Sequence, residues 1–571
     1  MTKRQKLRIK KMIAGAALAL LFLIGITIYA LLGPFRPFFW NLPYLTGFLG
    51  PRNYLILIQN NNELRPTGGF ITGVAELSML FGFSSLEVFD SYQIPDPSPR
   101  LPAPEPFQYL IGTNDTFFAG KTLRDANFSP DFRESSEEVL ELYKIAYPEK
   151  TFDMVIAVDF AVIENLLDLY GQLSVEDLIF TRKNFFDLTQ KISKDIDTHN
   201  KQQLEERKGI LGPFGKKFVK RIISSPTKYP QFLSALETFI QEKNLIAYSP
   251  SESFQAKLSK HALTGLIRHE DPNTDFLHVN VANIGGRKAD RYVTKEIKYM
   301  ADFSNPENPA STLDITFSHL GSYNIQSDIY QAYVRSYVPL GSKLVSPSPT
   351  GMRGTENFQD LGQTVFADAI KIAPGESITL SYKYQLPEII NPQEYQLQVP
   401  KQPGIQNQFW QTAFKQQNDT LLENEALKNI QITPMTIREN LALWKGIPSS
   451  DLHFSILTSG DASKPIILWQ KFESLNRINI RFNEILDEST VYDLKNYRVT
   501  DLNKEDIRKD TVVVTGARFE GRDLWLDISG ASLQYLENYE LKISNLKDTQ
   551  GNTLDPNPTI RTLVQRLEAT N

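Results

Sequence analysis

The pattern of apolar and charged positions changes abruptly near the start of the chain. Residues 12–32 (MIAGAALALLFLIGITIYALL) carry no charge, and a basic cluster precedes them: Lys3, Arg4, Lys6, Arg8, Lys10 and Lys11. About twenty apolar residues in a helix can cross a hydrocarbon core of roughly 30 Å. Basic residues beside such a helix stay in the cytoplasm. The pattern therefore predicts a basic segment and membrane anchor at 1–33, with the bulk of the chain outside the cytoplasm.

A cleaved signal peptide is the alternative interpretation of this segment. The apolar region of a signal peptide is usually about 7–15 residues long and is followed by a cleavage site with small residues. Here the run is longer and ends in Leu31-Leu32-Gly33-Pro34, which is not such a site. These features favour an anchor that is retained.

The next segment, 34–52, is rich in proline, glycine and aromatic residues and is expected to be a juxtamembrane linker. Phe38, Phe39, Trp40 and Tyr44 lie directly beyond the predicted anchor. Aromatic side chains gather where a membrane meets water. These residues are interpreted either as such an aromatic belt or as an ordinary packed linker, and the sequence does not distinguish the two.

Strand and helix patterns alternate over residues 53–265, which predicts an α/β layered domain. Ser135 or Ser136 is expected to cap one helix, and Asp159 to cap another that ends at Gly171. The predicted elements are strands at 54–58, 70–80 and 152–158 and helices at 135–147, at 160–170 and within 183–245.

From about residue 275 the pattern consists of short alternating strands separated by Gly, Pro and Asn turns. Such spacing is typical of an antiparallel β-sandwich, which we assign to 275–400. Residues 401–463 are polar and rich in Gln and Asn, and we interpret them as a linker with some β content. Residues 464–571 are expected to form a further all-β domain, so the predicted fold is multidomain.

Composition narrows the classes of function. The net charge of -5 is mild, so we expect no nucleic-acid partner. The chain has no cysteine, which excludes disulfides, thiol catalysis and cysteine zinc sites. A large exported protein without disulfides fits a bacterial envelope better than a eukaryotic secretory route.

No familiar catalytic signature is present. The sequence lacks a Gly-x-Ser-x-Gly elbow, a His-Glu-x-x-His motif and a P-loop. Its 6 histidines show no metal-ligand spacing. We therefore expect no metal site and no cofactor, and the residues favour a protein that is not an enzyme.

Two polar loops that follow strands carry the candidate site. Arg65 lies in a polar turn with Gly68 and Gly69, and Arg124 and Asp125 lie in a second polar loop. Arginine binds phosphate through paired hydrogen bonds, and a glycine pair lets backbone amides approach the same anion. These residues predict an anion-binding site, and the alternative is that they only shape the loops.

Basic residues on a later helix extend the candidate set. Lys208 is included in the predicted anion-binding site. The four basic residues beyond it are interpreted as a solvated helix face: Lys216, Lys217, Lys220 and Arg221.

Several ordered segments within 53–300 resemble the domain-of-unknown-function family 4012 of bacterial envelope proteins. Their sequences are YLILIQNNNELRPTGGFITG at 54–73, RDANFSPDF at 124–132, FDMVIAVDFAVIENLLDLYG at 152–171, the helical segment around Arg207-Lys208, and NIGGRKADRYV at 283–293. The resemblance implies a location in the bacterial envelope and no particular chemistry.

A more distant resemblance, over 53–225, is to the LytR-CpsA-Psr phosphotransferases, which attach teichoic acids or glycans to the bacterial wall. The residues that follow the order of that family's motifs are Arg65, Arg124-Asp125, Val158-Asp159-Phe160, Gly171 and Arg207-Lys208. The resemblance implies an α/β core in which basic residues hold a polyprenyl-linked phosphate.

The sequence departs from this family where its magnesium-binding aspartates would fall. Those positions lie near Asn60–Asn62 and Thr67, and none of them is acidic. Neutral amides bind Mg²⁺ poorly, because this hard ion prefers carboxylate and phosphate oxygens. The departure favours a binding role over metal-assisted phosphoryl transfer.

Residues 464–567 resemble the immunoglobulin-like domains of bacterial S-layer proteins of the SbsA type. The matching segments are 478–487, 496–497, 539–543 and 547–552. Phe482 and Tyr497 are expected to point into the core of a β-sandwich, and 548–552 to form a glycine-containing turn. The resemblance implies a spacer or adhesive module.

Together these features predict a single-pass protein of the bacterial plasma membrane with its bulk outside the cytoplasm. The expected role is binding or structural, with recognition of an anionic cell-wall glycan or a polyprenyl phosphate and with other envelope proteins as partners. The alternative is a wall glycopolymer phosphotransferase with a divergent site.

Overall fold

The computed structural model describes residues 33–111, 120–194, 201–267, 269, 271–285, 288–305, 308–324, 326–416, 421–425, 431–438, 440–459, 464–502, 511–530, 533, 538–549 and 551–564. They form an α/β domain followed by two β domains. Among these residues, no helix has both the length and the apolar character that crossing a membrane requires. The predicted anchor at 12–32 lies outside the described residues.

A five-stranded mixed sheet forms the centre of the α/β domain. Its strands are β1 (Arg52–Asn60), β2 (Phe70–Leu80), β3 (Phe83–Asp90), β4 (Met154–Asp159) and β7 (Leu245–Tyr248), while β5 (Leu173–Val175) and β6 (Leu178–Phe180) pair separately. The spatial order is β3-β2-β1-β4-β7, with β1 antiparallel to β2 and parallel to β4. Leu55 and Leu57 of β1 are fully buried, as the apolar run predicts.

Helices cover both faces of this sheet. They are α1 (Leu42–Leu45), α2 (Glu105–Ile111), α3 (Phe132–Ala146), α4 (Phe160–Tyr170), α5 (Phe185–Lys194), α6 (Lys201–Ile223), α7 (Tyr229–Gln241) and α8 (Glu252–Lys260). Val139 and Leu142 of α3 join one buried cluster with Leu55 and Leu57. α4 to α7 form a second cluster with Ile58 and other residues of the opposite face. The layered α/β prediction is confirmed.

Two helix starts differ in how well the capping prediction worked. Asp159 accepts a backbone N–H of α4, and α4 ends at Gly171 with a φ of +83°, as expected. α3 begins earlier than predicted because Asp131, rather than Ser135 or Ser136, accepts the N–H groups of its first turn.

Three sheets build the second domain. Its strands are β8 (Asp275–Phe276), β9 (His278–Asn283), β10 (Val293–Asp302), β11 (Ala310–His319), β12 (Tyr330–Val338), β13 (Lys343–Ser346), β14 (Glu356–Asp360), β15 (Gln363–Ile372), β16 (Ser377–Gln385), β17 (Glu394–Val399), β18 (Gln408–Lys415), β19 (Leu421–Asn424), β20 (Thr436–Arg438), β21 (Leu441–Gly446) and β22 (Leu452–Ser459). The sheet orders are β13-β16-β11-β10-β18-β21-β20, β14-β15-β12-β9 and β19-β22-β17-β8. One buried apolar core joins them.

The segment 401–463 belongs to this second domain, so its interpretation as a linker is wrong where the structure describes it. β18 pairs parallel with β10 inside the seven-stranded sheet, and β22 pairs antiparallel with β17. Trp410 and Phe414 of β18 are buried in the domain core, whereas Gln411 between them is half-buried. The many polar residues concealed this alternation.

The C-terminal domain has a core of its own. Its elements are β23 (Ile467–Ser474), β24 (Arg477–Phe482), α9 (Glu488–Val491), β25 (Tyr497–Asp501), β26 (Thr511–Glu520), β27 (Asp523–Ser529), β28 (Asn538–Ile543) and β29 (Thr559–Val564), with strand order β23-β24-β27-β26-β25-β28-β29. Phe482 and Tyr497 are buried in this core, as predicted. Asn552 donates to Asp548 across a turn in which Gly551 has a φ of +92°.

A buried ion pair joins the two β domains. Arg522 Nε lies 3.2 Å from Glu394 Oε2, and both side chains are almost fully buried. The other Glu394 oxygen accepts the Ile485 N–H at 2.7 Å. The C-terminal domain therefore packs on the second domain through polar contacts that lie outside its own apolar core.

Part of the segment after the predicted anchor is packed on the α/β domain, as the second of its two interpretations expects. Residues 33–41 form a 3₁₀ helix. Phe38 is buried, with its ring 6.3 Å from that of Phe254 on α8, as in a packed linker. Trp40, two residues later, is 84% exposed. A role of Trp40 at a membrane interface stays a prediction.

We predict that fragment 464–571 folds by itself. Every residue of its buried core lies between Ile467 and Leu563, and loss of Glu394 leaves Arg522 in water rather than buried and unpaired. The fragment should unfold in one cooperative thermal transition, measured by circular dichroism and calorimetry. A fragment without a transition would show that the second domain is needed for folding.

Candidate functional site

The loop between β1 and β2 joins the α/β domain to the second domain. We name residues 61–69 the junction loop, and all of them are buried. Leu64 belongs to the apolar core of the second domain. Its N–H donates to Asp290 Oδ2 at 2.9 Å, and its carbonyl accepts the Asn283 N–H at 2.9 Å. This turn, which is rich in polar residues, is therefore enclosed between two domains.

Close packing accounts for the glycine pair of the junction loop. A Cβ on Gly69 would lie 2.4 Å from the backbone of Asn60. Gly68 has a φ of +134°, a conformation that side chains disfavour. The Gly68 N–H donates to the Arg65 carbonyl at 3.0 Å, and the Gly69 carbonyl accepts from Asn127 Nδ2 at 2.8 Å. The Gly68 amide is thus engaged within the loop.

Arg65 is 2% exposed and is surrounded by acceptors. Its Nε and Nη2 lie 3.0 and 2.9 Å from Asp125 Oδ1, and Nη2 lies 3.4 Å from Glu63 Oε1. Nη1 donates to the carbonyl of Asn283 in the second domain. The guanidinium also lies 5.3 Å from the centre of the Phe70 ring. A charged group this deeply buried needs such partners to stay charged.

Burial shapes the protonation of these groups. Burial opposes the charge of Arg65, but the carboxylates of Asp125 and Glu63 hold its pKa above the ordinary value. Burial also raises the pKa of Glu63, although the charges of Arg65 and Lys288 oppose this shift. Glu63 therefore takes up a proton at a higher pH than an ordinary glutamate does.

Arg124 is held by a different carboxylate. Its Nη2 donates to both oxygens of Asp96 at 3.0 Å, and its guanidinium lies 4.5 Å from the centre of the Tyr92 ring. That ring is 6.4 Å from the ring of Phe70. The hollow beside Arg124 has a volume of about 20 Å³, which is room for about one water molecule.

A larger cavity of about 490 Å³ lies between the sheet and helices α4 to α7. Its walls are mostly apolar side chains of the sheet (Ile56, Ile58, Ala75, Leu86, Val88) and of the helices (Val162, Leu166, Phe185, Phe214, Phe218, Ile222, Phe232). Gly215 lets α6 approach β3, since a Cβ there would lie 3.0 Å from the Val88 side chain. This volume and lining are typical of ligand-binding cavities.

The two ends of the cavity differ in polarity. The polar end is lined by Asn60, Glu63, Arg65 and Lys288. Leu86 lines the other end of the cavity. Through the strand pairing it lies level with Tyr54, near the start of β1, whereas Asn60 is the last residue of β1. Six residues of extended strand separate these levels by roughly 20 Å. The cavity therefore matches an amphipathic molecule with a long apolar part.

The structure brings only part of the predicted site together. Arg65 lines the large cavity, and the Gly68 N–H donates to its carbonyl, whereas Gly69 packs against Asn60. Arg124 lines the small hollow, and Asp125 lines that hollow too while it pairs with Arg65. Lys208 lies on α6 with its side chain outside the described residues. Lys216, Lys217, Lys220 and Arg221 are exposed, as a solvated face requires. Anion binding by the predicted set stays a prediction.

Sequence reasoning missed the cavity and two of its polar residues. Glu63 stands two positions before Arg65, so its role as an ion partner could have been considered. Phe214 and Phe218 repeat at the helical spacing of four, which signals an apolar face. Lys288 comes from the second domain, and no local pattern connects it to the junction loop.

The asparagines at 60–62, where the distant resemblance would put magnesium-binding aspartates, have partners within the protein, and Asn61 Nδ2 lies 3.4 Å from the Gly404 carbonyl of the second domain. Asn60 Oδ1 accepts from the N–H and from Nδ2 of Asn62, both at 3.2 Å. In the part of the chain that the structure describes, no three His, Asp or Glu residues are grouped to hold a metal ion. The Asn60 oxygen thus has a partner within the loop itself.

We predict that the two arginines differ strongly in their effect on stability. Arg65→Ala removes the guanidinium that pairs with the buried carboxylate of Glu63 and the partly buried carboxylate of Asp125, and it should cost about 3–5 kcal/mol. Arg124→Ala frees Asp96, which is 36% exposed and can be hydrated, so it should cost less than Arg65→Ala, about 1–2 kcal/mol. Urea denaturation of the full chain, followed by tryptophan fluorescence, measures both. Equal losses would contradict this account of the charges.

Comparisons with solved structures give only weak likenesses. The N-terminal part of the S-layer protein SbsC is 17% identical, with a TM-score of 0.16 over 18% of this chain and 24% of that chain. The transcriptional regulator yvhJ from Bacillus subtilis is 11% identical (TM-score 0.21, 37% and 76% covered), and the Lin1025 protein from Listeria innocua is 9% identical (TM-score 0.20, 37% and 77% covered). The chain thus spans about a quarter of the SbsC fragment, and these scores define no shared fold.

Comparisons at the sequence level concern one part of the chain. No curated protein matches the chain significantly. A family model does match residues 49–192, a region that runs from β1 into α5 and includes the junction loop and much of the cavity wall. Residues 49–192 match the model of the family described as "Protein of unknown function (DUF4012)", which supports the resemblance drawn from segments 54–73, 124–132 and 152–171.

Proposed function

We propose that this chain is a membrane-anchored protein of the bacterial envelope whose α/β domain binds an amphipathic lipid with an anionic head group, of the polyprenyl phosphate class. The observation that carries the proposal is the cavity of about 490 Å³, apolar along its walls and polar at one end. The basic residues before the apolar run at 12–32 support the envelope location.

The apolar walls supply the affinity for a hydrocarbon chain. Cavities made by mutation destabilise proteins by about 24 cal/mol per Å³ of apolar space. A hydrocarbon chain that fills this cavity would therefore gain a free energy on the order of 10 kcal/mol from apolar contacts. A small hydrophilic glycan would not use these walls, so the geometry favours a lipid-linked phosphate over a free glycan.

The polar end supplies the discrimination for a charged head group. Arg65 and Lys288 bring two positive charges, and Asp125 and Glu63 bring two negative charges when both are ionised. Protonation of Glu63, whose pKa burial raises, leaves an excess of positive charge. A phosphate accepts charge-assisted hydrogen bonds from such a site.

Binding of undecaprenyl phosphate and of uncharged undecaprenol to the full chain in detergent tests this proposal. Lys288→Ala should weaken binding of the phosphate about tenfold or more and leave undecaprenol unchanged, because it removes one charge-assisted contact. Ala75→Phe narrows the cavity and should weaken binding of both. Isothermal titration calorimetry measures each dissociation constant.

Lys217→Ala is the matched control, since Lys217 is an exposed residue on the same α6 whose other face lines the cavity. Its binding and melting temperature should equal those of the native chain. Absence of binding to either lipid, or binding that Ala75→Phe does not change, would overturn the proposal. Brisk transfer of a phosphoryl group that a chelator stops would favour the phosphotransferase alternative.

We predict that Glu63 makes binding of the anion pH-dependent. A raised pKa means that Glu63 becomes protonated as pH falls, which removes a negative charge beside the phosphate and strengthens binding. Glu63→Gln should bind as the protonated native chain does at all pH values. The dissociation constant of the native chain, divided by that of Glu63→Gln, should rise with pH. Titration of the phosphate itself affects both constants equally and cancels in this ratio. A ratio independent of pH would exclude this role of Glu63.

A further inference from the structure

One edge of the α/β domain exposes a group of large apolar side chains. They lie at the tip of the β2–β3 hairpin and in the segment before β1: Trp40 (84% exposed), Phe48 (57%), Leu49 (69%), Phe81 (58%) and Phe83 (81%). We name these five residues the aromatic edge. Large exposed apolar groups gathered at one end of a folded domain indicate a surface that contacts something else.

The aromatic edge is held in place by hydrogen bonds. The N–H groups of Phe81 and Gly82 donate to the carbonyls of Gly47 and Thr46 at 3.1 and 2.8 Å. The rings of Phe48 and Phe81 are 6.5 Å apart. The hairpin tip and the segment before β1 therefore form one surface with a defined shape.

Phe81 is an unusual residue for its position in the turn. It has a φ of +50°, and Gly82 follows with a φ of +81°. Tight hairpin turns with two positive φ values strongly prefer Asn or Gly at the first position, because a side chain such as Phe is strained there. The exposed ring is therefore placed at a steric cost that the turn itself does not require.

Basic residues lie next to the aromatic edge. Lys216 and Lys220 of α6 flank a surface groove with Leu86 and Ile223. Leu86 is on β3, three residues from Phe83 and therefore roughly 10 Å along the strand. Aromatic rings beside lysines are the composition of protein surfaces that enter the head-group region of anionic membranes.

The position of this edge in the chain identifies its occupant. Arg52, at the start of β1, pairs with Met79, so the hairpin tip lies at the end of the sheet where the chain arrives from residue 33. Phe38 and Phe35 pack at the same end, against Tyr54 and Met154. The apolar run at 12–32 therefore leads directly to this edge.

We propose that the aromatic edge docks into the interface of the lipid bilayer and fixes the orientation of the α/β domain, with the start of β1 facing the membrane. The aromatic rings enter the head-group layer, and Lys216 and Lys220 contact anionic lipids. This inference goes beyond the proposed function, because docking requires no ligand in the cavity.

The absence of cysteine from the chain gives a direct test. A single cysteine in the full chain is labelled with the environment-sensitive dye NBD, either at Phe83→Cys in the aromatic edge or at Val513→Cys, a 59% exposed position in the C-terminal domain. Phe83 is used because it lies in β3 rather than in the strained turn. The protein is placed in nanodiscs of phosphatidylcholine with phosphatidylglycerol.

The expected result is a blue shift of the dye at position 83, with quenching by brominated lipids, and neither effect at position 513. Lys216→Ala with Lys220→Ala should weaken docking about fivefold for each lysine in anionic nanodiscs and have no effect in neutral ones. Ala75→Phe, which acts in the cavity, should leave docking unchanged, so failure of the two proposals can be told apart.

Three results would overturn the proposal. The first is equal emission at positions 83 and 513, and the second is a full chain that does not associate with lipid. The third is a blue shift that is lost in nanodiscs holding a single copy of the protein, which would assign the aromatic edge to contact with a second copy.

Discussion

The burial of one guanidinium constrains how the first two domains meet. A cation removed from water is tolerated only where carboxylates and carbonyls satisfy it. Arg65 obtains these acceptors from its own loop through Glu63, from the loop around Asp125, and from the Asn283 carbonyl of the second domain. Three segments of the chain thus meet at a single charge, and one of them belongs to the second domain.

The same contacts determine the electrostatics of the cavity. Asp125 neutralises Arg65, so the net charge of the polar end depends on Glu63 and on Lys288. Because Lys288 belongs to the second domain, a ligand bound at this end would contact both domains. By linkage, a ligand that binds only when the two domains are in contact would stabilise that contact. The same contacts join segments 54–73 and 124–132, which lie in the matched region, to segment 283–293, which lies outside it.

Local sequence patterns predicted the bounds of helices and strands correctly where neighbouring residues determine them. The predictions failed where a residue distant in sequence determines the structure. β2 and α4 have the predicted bounds, because alternation, Asp159 and Gly171 act within a few residues. Asp131 replaces the predicted serines as a cap while it also accepts the Ile267 N–H, 136 residues away. Arg65 was predicted as a site residue from its loop, and its ion partners lie in the same domain, but the Asn283 carbonyl that it also contacts belongs to the second domain, which no local pattern encodes.

Strand β1 gives the two proposals a common direction. It begins beside the aromatic edge and ends at the polar end of the cavity, and nine residues of strand span about 30 Å. Docked by that edge, the domain would hold the polar end above the membrane and the Leu86 end close to it. A long lipid could then reach the polar end with its head group while the rest of its hydrocarbon stays in the bilayer. Only the segment inside the cavity would leave the membrane, and its cost, about 0.8 kcal/mol per CH₂ in water, would be offset by the apolar walls.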